Sequence, residues 1–566
     1  MKQASNPLFY SRKQRDLLHF SYPHMSVDFA TYRQISRRFD TSNASVGGLQ
    51  NFGRKTFSKG ATTHWICRFQ FFGGRPLNTV GSMESHDIVD LGAIGRYYSC
   101  RNILGFYRCV SALAVCTYST NELADPDKWA MGRFANALHQ TVQYHPSLCY
   151  GIVDQTPVKE AHFLRLRNIF KEDVLEFCGQ SPEEAQHGDD AAVAKLLQRS
   201  NTEILLDGNR KPPWRLVILK HGGQWGSKSQ QMRNQGQRLS IVFFANHATA
   251  DGLSHTNFFR TLFQFFNNPQ AEDLPWPYQV PRDLRCPILL ENAVDLQSKD
   301  ENDSFQPDYS APNVWTGPNI FLPSAKEYES CVRLVIVPQK QLDMVLQFCR
   351  SRQITLTGLL HGLVVTFLSR EIPSGHMFRA DTPYSMRYLT KVADDEICNH
   401  ASALISDFPE SLVNEIRNIA PSSSQELGAV IGIAKDYRRD MTAELKRSPK
   451  NNIWAAMFGI DDWYGPSLGQ IGKKRGLTYE LSNFGNVKVV DNVETNSSSL
   501  CLEKMFVSQC GSVTGPLFGC NSVSIPGGPF TMTLVWQKGG MEEQMVSDMA
   551  KYLTERLLAG FDSFRE

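Results

Sequence analysis

Residues 239–252 read LSIVFFANHATADG and carry the clearest structural signal in the chain. Six of the first seven residues are apolar, and the Val, Ile and Phe among them predict a strand that is buried on both faces. The strand leads directly to Asn246 and His247, and a helical pattern begins after Gly252. A histidine at the end of a buried strand is held rigidly, which suits a base that must reach a substrate proton.

The residues that follow this histidine are expected to support it. Asp251 lies four positions after His247 and is expected to fix the turn, and Gly252 is expected to adopt a backbone angle that a side chain would disfavour. The same pattern also fits a structural histidine that a backbone carbonyl satisfies, followed by an aspartate that caps the next helix. The buried strand before the pattern and the helix after it favour the functional interpretation.

The stretch HATADG resembles the HxxxDG active-site motif of the acyl-CoA-dependent transferases. These enzymes are related to chloramphenicol acetyltransferase, the BAHD plant enzymes and peptide-synthetase condensation domains. Within that superfamily the chain is most similar to the fungal alcohol O-acetyltransferase (AATase) family. Four other stretches agree, and together the resemblance covers roughly residues 85 to 560: LGFYRCVSALAVCTY from Leu104, ALHQTVQYHPSLCYGIV from Ala137, ITLTGLLHGLVVTFL from Ile354 and LSNFGNV from Leu481.

The resemblance implies an α/β protein with the two-lobe chloramphenicol acetyltransferase-like fold, mixed sheets and a tunnel between the lobes for substrate and CoA. A length of 566 residues by itself also favours two large lobes. We expect an N-terminal lobe over residues 85–290 with the HxxxDG motif, a crossover over 291–325 and a C-terminal lobe over 326–566. Residues 1–84 lack a sustained period, and they are expected to be a poorly ordered extension, or a spurious one if Met83 is the true start.

Four more site residues are carried over from the resemblance. Arg387 is the expected partner of Asp251, in an ion pair that orients the histidine loop without taking part in the chemistry. The second motif of the plant relatives, DFGWG, corresponds here to NFGN within residues 482–486, with asparagine at both its first and fourth positions. The correspondence implies a structural role beside the acyl-CoA channel, and it leaves an oxyanion role open, for Ser482, Asn483 and Gly485.

The implied reaction is acyl-CoA-dependent O-acylation, most simply acetyl transfer from acetyl-CoA to an alcohol. A hydroxyl group needs a base when it attacks the thioester, and a neutral imidazole can accept that proton because it titrates at about 6.5. His247 would then return the proton to the departing CoA thiolate within a ternary complex, without an acyl-enzyme. Two alternatives stay open: N-acylation of a lipophilic amine such as a sphingoid base, and a non-catalytic binding relative.

Composition excludes other classes of partner. The 59 Lys and Arg residues nearly balance the 57 Asp and Glu residues, so no global field would attract nucleic acid. The chain has thirteen cysteines, and none of them forms a CxxC pair. Its first residues do not resemble an apolar leader peptide. Both observations predict reduced thiols in a cytoplasmic protein. No residues show metal-ligand spacing, so no metal is expected.

We therefore expect a monomer that uses an acyl-CoA and a small-molecule alcohol or amine. An amphipathic helix over residues 541–561 leaves open a peripheral contact with the endoplasmic reticulum or lipid droplets.

Three further elements bear on the site. A helix is predicted over residues 125–144, with an aspartate at its start and His-Pro at its end. A strand over residues 213–220 is expected to pair with the strand over 239–245. Residues 476–490, GLTYELSNFGNVKVV, are expected to form a hairpin-like strand pair that is broken at residues 483–486.

Overall fold

The computed structural model describes residues 87–119, 123–157, 159–226, 236–271, 273–294, 313–449, 452–454, 457, 460, 462–489 and 499–559. The predicted N-terminal extension and most of the predicted crossover lie outside these residues. Among the described residues, no helix is long and apolar enough to cross a membrane.

The strands in chain order are β1 (Ile88–Asp90), β2 (Val110–Tyr118), β3 (Tyr150–Val153), β4 (His162–Arg165), β5 (Asn168–Ile169), β6 (Leu175–Gly179), β7 (Trp214–Lys220), β8 (Gln237–Ala245), β9 (Tyr278–Gln279), β10 (Ser330–Val337), β11 (Phe378–Ser385), β12 (Ala401–Phe408), β13 (Leu477–Asn486), β14 (Cys501–Gln509), β15 (Pro516–Ser524) and β16 (Phe530–Gln537). The α-helices are α1 (Gly92–Ile103), α2 (Pro126–Tyr144), α3 (Lys171–Val174), α4 (Pro182–Gln186), α5 (Asp189–Thr202), α6 (Gly252–Asn267), α7 (Leu290–Ala293), α8 (Gln339–Ser351), α9 (Leu356–Glu371), α10 (Arg387–Thr390), α11 (Glu410–Asn418), α12 (Ser424–Arg447), α13 (Tyr464–Leu468) and α14 (Glu543–Ala559).

The strand that precedes the histidine lies at the centre of a five-stranded sheet, in the order β14-β2-β8-β7-β6. Every residue from 239 to 245 is buried, as predicted for a strand covered on both faces. Helices α2 and α6 contribute Phe134 and Phe258 to the core on one face, where they pack with Phe243. On the other face Phe244 packs with Val193 of α5. The predicted pairing of β7 with β8 is confirmed, and it is antiparallel.

A second sheet has six strands in the order β10-β16-β15-β13-β11-β12. Its core includes buried side chains from β10, β11, β13, β15 and β16 and from the helices α8, α9, α11, α12 and α14. Helix α9 is buried along nearly its whole length, because neighbouring elements surround it and no face of it is exposed to solvent over that length. These two sheets with their helices form the mixed α/β architecture that the sequence predicted.

One strand of the C-terminal half joins the first sheet. Strand β14 belongs to the C-terminal half, yet it pairs antiparallel with β2 and completes the edge of the first sheet. Its side chains alternate between two cores, with Met505 and Val507 in one and Phe506 in the other. The second half of the chain therefore helps to build the sheet that carries the histidine.

Two local predictions have opposite outcomes. The helix over residues 125–144 is confirmed as α2, and the Asp125 side chain caps it by accepting a hydrogen bond from the Lys128 N–H at 3.0 Å. The hairpin predicted within residues 476–490 is wrong, because β13 is a single strand that runs parallel to both β11 and β15. An irregularity between Asn483 and Asn486, with Gly485 at φ +71°, interrupts the pairing without reversing the chain.

Candidate active site

The loop that carries His247 is closed by its own hydrogen bonds. The Asn246 side-chain oxygen accepts from the Ala248 N–H at 2.9 Å, and the Asn246 carbonyl accepts from both the N–H and the hydroxyl of Thr249. This turn follows β8 directly, and α6 begins at Gly252. A rigid strand and a capped helix therefore hold the histidine from both sides.

Asp251 is a buried anchor rather than a second base. Its Oδ1 accepts from the Ser254 N–H at 2.9 Å, which caps α6, and also from the Ser254 hydroxyl. Its Oδ2 accepts from the His400 N–H at 3.1 Å. Burial opposes the charge of this carboxylate, but the Arg387 guanidinium and these hydrogen bonds hold its pKa below the ordinary value.

Arg387 lies beside Asp251, where the resemblance placed it. Its Nη2 donates to Asp251 Oδ1 at 2.9 Å and to the Ser254 hydroxyl at 3.0 Å. Its Nη1 donates to the Glu396 carbonyl at 2.7 Å. Both members of the ion pair have less than a tenth of their side-chain surface exposed, with 9% for Arg387 and 3% for Asp251. The pair joins the histidine loop to a segment of the second half of the chain.

Gly252 differs from its prediction. It lies in the first turn of α6, and it is not among the glycines with a positive φ. A Cβ at this position would lie 2.2 Å from two ring carbons of Phe484. The position favours glycine because the Phe484 ring packs directly against the helix start and would have to shift for a larger residue, not because of its backbone angle.

The imidazole of His247 has one occupied nitrogen and one free nitrogen. Its Nδ1 lies 3.2 Å from the Asn399 side-chain nitrogen, whereas Nε2 has no hydrogen-bond partner among the described residues. The ring stacks on Tyr98, with 4.1 Å between the centroids, and Tyr107 is 5.8 Å away. His247 is deep in the molecule and yet partly accessible.

Burial lowers the pKa of His247 to about 4. The charge of Asp251 and the nearby backbone carbonyls of His247 and Ala250 oppose this shift but do not cancel it. The imidazole is therefore neutral at pH 7, which is the state that can accept a proton.

A polar network near the ring was not predicted. The Tyr107 hydroxyl donates to Gln509 at 2.8 Å, and the Gln509 amide donates to Glu480 at 2.7 Å. Glu480 lies opposite Asp381 in the β11–β13 pairing. Burial raises the pKa of both carboxyl groups above their ordinary values, and the charge of Glu480 adds to the shift at Asp381. No local pattern could reveal this network, because its members come from segments that are far apart in sequence.

The second-motif residues form hydrogen bonds with groups other than the imidazole. The Asn483 amide donates to the Thr357 hydroxyl at 3.0 Å, and the Asn483 oxygen accepts from the Gly485 N–H at 2.9 Å. The Ser482 carbonyl accepts from the Ser522 hydroxyl at 3.4 Å. In the described part of the chain, no hydrogen bond joins these residues to His247. Phe484 provides the contact between the two motifs.

Within the described residues, no three His, Cys, Asp or Glu side chains cluster in a way that could hold a metal ion.

The comparisons with known proteins point to acyl transfer. The family model described as alcohol acetyltransferase matches residues 182–279, which include β8 and the HATADG stretch. The probable alcohol acetyltransferase FCK4 of Fusarium pseudograminearum is 23% identical over 495 residues, which cover 82% of this chain and 94% of that protein.

Two solved structures share the fold. The trichothecene 15-O-acetyltransferase TRI3 of Fusarium sporotrichioides matches with a TM-score of 0.62 at 12% identity, over 86% of this chain and 97% of that one. TRI101 of F. sporotrichioides, in complex with coenzyme A and T-2, matches with a TM-score of 0.52 at 11% identity, over 81% and 97%. The two-lobe chloramphenicol acetyltransferase-like fold is thereby confirmed. The chain is an acyltransferase, and its sequence confirms the resemblance to the fungal alcohol O-acetyltransferase family.

Proposed function

We propose that the protein transfers an acetyl group from acetyl-CoA to an alcohol hydroxyl, with His247 as the general base in a ternary complex. One observation carries the proposal: an imidazole at the end of a buried strand has its Nδ1 edge occupied and its Nε2 free of partners among the described residues. A base needs such a free nitrogen in a ring that is held in place.

The proton moves in a closed cycle. In the tautomer that carries its proton on Nδ1, Nε2 accepts the hydroxyl proton as the acceptor oxygen attacks the thioester carbonyl, and the carbonyl electrons form a tetrahedral oxyanion. When the oxyanion collapses, the C–S bond breaks and the imidazolium protonates the CoA thiolate. Burial makes the ring a weak base but its conjugate a strong acid, because the pKa of His247 is about 4 and that of a thiol is about 8.5. Protonation of the leaving group is therefore strongly favoured.

The ion pair has a positioning role in this scheme. Asp251 uses both carboxylate oxygens in hydrogen bonds to Arg387, Ser254 and the His400 backbone, so it has no role as a proton acceptor. Ser482, Asn483 and Gly485 are proposed to shape the acyl-CoA channel, since the Asn483 amide is already bonded to Thr357. Backbone N–H groups remain the candidates for the oxyanion donors.

Two of the similar proteins support the donor and the acceptor class. TRI101 was solved with coenzyme A and T-2, and FCK4 is described as a probable alcohol acetyltransferase. On this basis we propose acetyl-CoA as the donor and a small-molecule alcohol as the acceptor. From the sequence alone we propose a monomeric enzyme and a cytoplasmic location.

The test measures CoA release from acetyl-CoA with a panel of alcohols and amines, together with chromatographic identification of the products. His247→Ala should lower turnover with the best alcohol by about 10²- to 10⁴-fold. His187→Ala removes an exposed histidine and serves as the matched control. Full turnover in His247→Ala would exclude this residue as the base, and products formed only from amines would replace O-acylation by N-acylation.

A further inference from the structure

The proposed reaction creates a positive charge on a ring deep in the molecule. When Nε2 of His247 accepts the hydroxyl proton, the neutral imidazole becomes an imidazolium, and burial disfavours that charged form. The Asp251 carboxylate favours the imidazolium, but it is already paired with the Arg387 guanidinium at 2.9 Å. The His255 ring disfavours it. Further stabilisation has to come from groups in direct contact with the imidazole.

The Tyr98 ring lies against the imidazole of His247. The ring centroids are 4.1 Å apart and the ring planes differ by 24°, so the imidazole stacks over the face of the phenol ring. The face of an aromatic ring is electron-rich, and it attracts a cation that lies within about 6 Å of the ring centroid. Tyr107 contacts the same imidazole at 5.8 Å with a tilt of 40°. Of these two tyrosines, Tyr98 is the better placed to face the imidazolium.

The position of the Tyr98 ring is fixed by its neighbours. The residue lies in α1, and its ring packs edge-to-face against Tyr97 at 5.0 Å and Tyr107 at 5.5 Å. Burial raises the pKa of Tyr98, so its hydroxyl stays protonated and the ring carries no net charge. A neutral ring face attracts a cation more weakly than a carboxylate does, so it does not hold a proton on His247 before the reaction begins.

We propose that Tyr98 is a positioning residue that acts through His247: the face of its ring holds the imidazole plane and stabilises the imidazolium that forms during acyl transfer. The inference rests on the proposed function, in which Nε2 accepts the hydroxyl proton. Tyr98 itself exchanges no proton, because the proton passes from the acceptor hydroxyl to Nε2 and then to the CoA thiolate. The attraction acts only while the imidazolium exists, so it lowers the barrier of the chemical step and not the KM for acetyl-CoA.

The experiment changes the charge distribution of the ring face while nearly keeping its shape. Tyr98→Phe is compared with variants of the full chain that carry, at the same position, phenylalanine with one, two or three ring fluorines, introduced by stop-codon suppression. Each fluorine withdraws electron density and weakens the negative face. The rate constant for CoA release in a single turnover should stay within about twofold of the wild type in Tyr98→Phe, and it should fall with each added fluorine. The KM for acetyl-CoA should change little.

Two further variants complete the comparison. Tyr98→Leu removes the ring, and it should lower the same rate constant by about 2- to 30-fold, which corresponds to the strength of a cation–π contact. Phe408 is the site of the matched control, because its ring packs 5.9 Å from the imidazole of His361 in the core. The same fluorinated residues at position 408 should leave the rate constant unchanged.

Three results would overturn the proposal. A rate constant that is the same across the fluorinated series at position 98 would mean that the ring only fills space. A loss in Tyr98→Phe as large as that in Tyr98→Leu would assign the effect to the hydroxyl. An equal decrease in the Phe408 series would mean that fluorine acts on the fold and not on the imidazolium.

A parallel measurement on His247→Ala separates this inference from the proposed function. Full turnover in His247→Ala refutes the proposed function. If His247→Ala is inactive and the fluorinated series at position 98 has one common rate constant, only the role of Tyr98 is refuted. Should circular dichroism show that Tyr98→Leu does not fold, the fluorinated series decides the outcome, because it nearly keeps the size of the ring.

Discussion

His247 and His361 are both deeply buried imidazoles, yet their surroundings assign them different tasks. In His361, Nδ1 lies 2.8 Å from the Tyr479 hydroxyl and Nε2 lies 2.9 Å from the Thr382 hydroxyl, and the residue is fully buried within α9. Burial lowers the pKa of His361 to about 3 and that of His247 to about 4. A depressed pKa therefore does not distinguish the proposed base from a core residue, whereas a ring nitrogen without a hydrogen-bond partner among the described residues does.

The largest expected effect separates activity from stability at these two positions. His247→Ala should lose about 10²- to 10⁴-fold in turnover while its free energy of unfolding changes by only about 1 kcal/mol, since few bonds are lost. His361→Ala should lose about 2–4 kcal/mol of stability, because it leaves two hydroxyl partners and a cavity behind, and it should keep most of its turnover per folded molecule. Urea unfolding measures the free energy of unfolding of both variants, and steady-state kinetics measures their turnover. A large loss of turnover in folded His361→Ala would contradict the distinction.

The second prediction concerns the ion pair that holds the His247 loop. Arg387→Leu should lower the free energy of unfolding by about 3–5 kcal/mol, because it leaves the buried Asp251 carboxylate without its counter-charge. The double variant with Asp251→Asn should recover part of that loss. Arg439→Ala is the matched control, since this exposed arginine pairs with Asp436 and Asp440 at the surface and its removal should have little effect. Equal effects of the two arginine variants in urea unfolding would show that the buried pair does not support the loop.

The contrast between the histidines also shows what the sequence could reveal. The buried strand before His247 and the helix after it were predictable, because a continuous apolar run and a helical period are local properties. Both depend only on neighbours in the chain. Neither property says which ring nitrogen is free, and His361 lies in an equally apolar helix.

The elements that were missed depend on contacts between distant segments. The local break at Gly485 resembles a turn and so predicts a hairpin, whereas the partners of the single strand β13, which are β11 and β15, are remote in sequence. Asn399 is 152 residues from His247 in the chain, and nothing in its local sequence indicates that contact. Gly252 was assigned to backbone freedom because the position of the Phe484 ring could not be known.

A third prediction uses pH to compare the two rings. Each ring has a pKa of about 6.5 when unfolded and a lower one when folded, so the unfolded chain binds more protons as the pH falls. Stability is therefore complete above pH 6.5, and it decreases as the pH falls from 6.5 toward the folded pKa values. Between pH 7 and pH 5, each ring should account for about 2 kcal/mol of the loss.

Removal of either ring should therefore make the decrease in the free energy of unfolding between pH 7 and pH 5 smaller by about 2 kcal/mol, as measured by urea unfolding. His187→Ala is the control, and it should retain the wild-type decrease. The same decrease in His247→Ala as in the wild type would mean that this ring titrates in the folded protein as it does in the unfolded chain, and would weaken the case for a neutral base held by burial.

The smallest expected effect tests the contact that joins the two motifs. Gly252→Ala should lower the free energy of unfolding by about 1–3 kcal/mol, because its Cβ would overlap the Phe484 ring. It should also lower kcat, since the overlap moves the start of α6 and with it the loop of His247, while the His361 region is unaffected. Gly428→Ala is the matched control, because nothing lies within 4 Å of a Cβ at this exposed helical position, and it should gain about 0.5–1 kcal/mol.

Phe484→Ala in the Gly252→Ala background should remove the overlap, so the losses of the two single variants should not add. Additive losses in stability and in kcat would mean that the ring does not press on the helix start. The second motif would then influence His247 only through the proposed acyl-CoA channel.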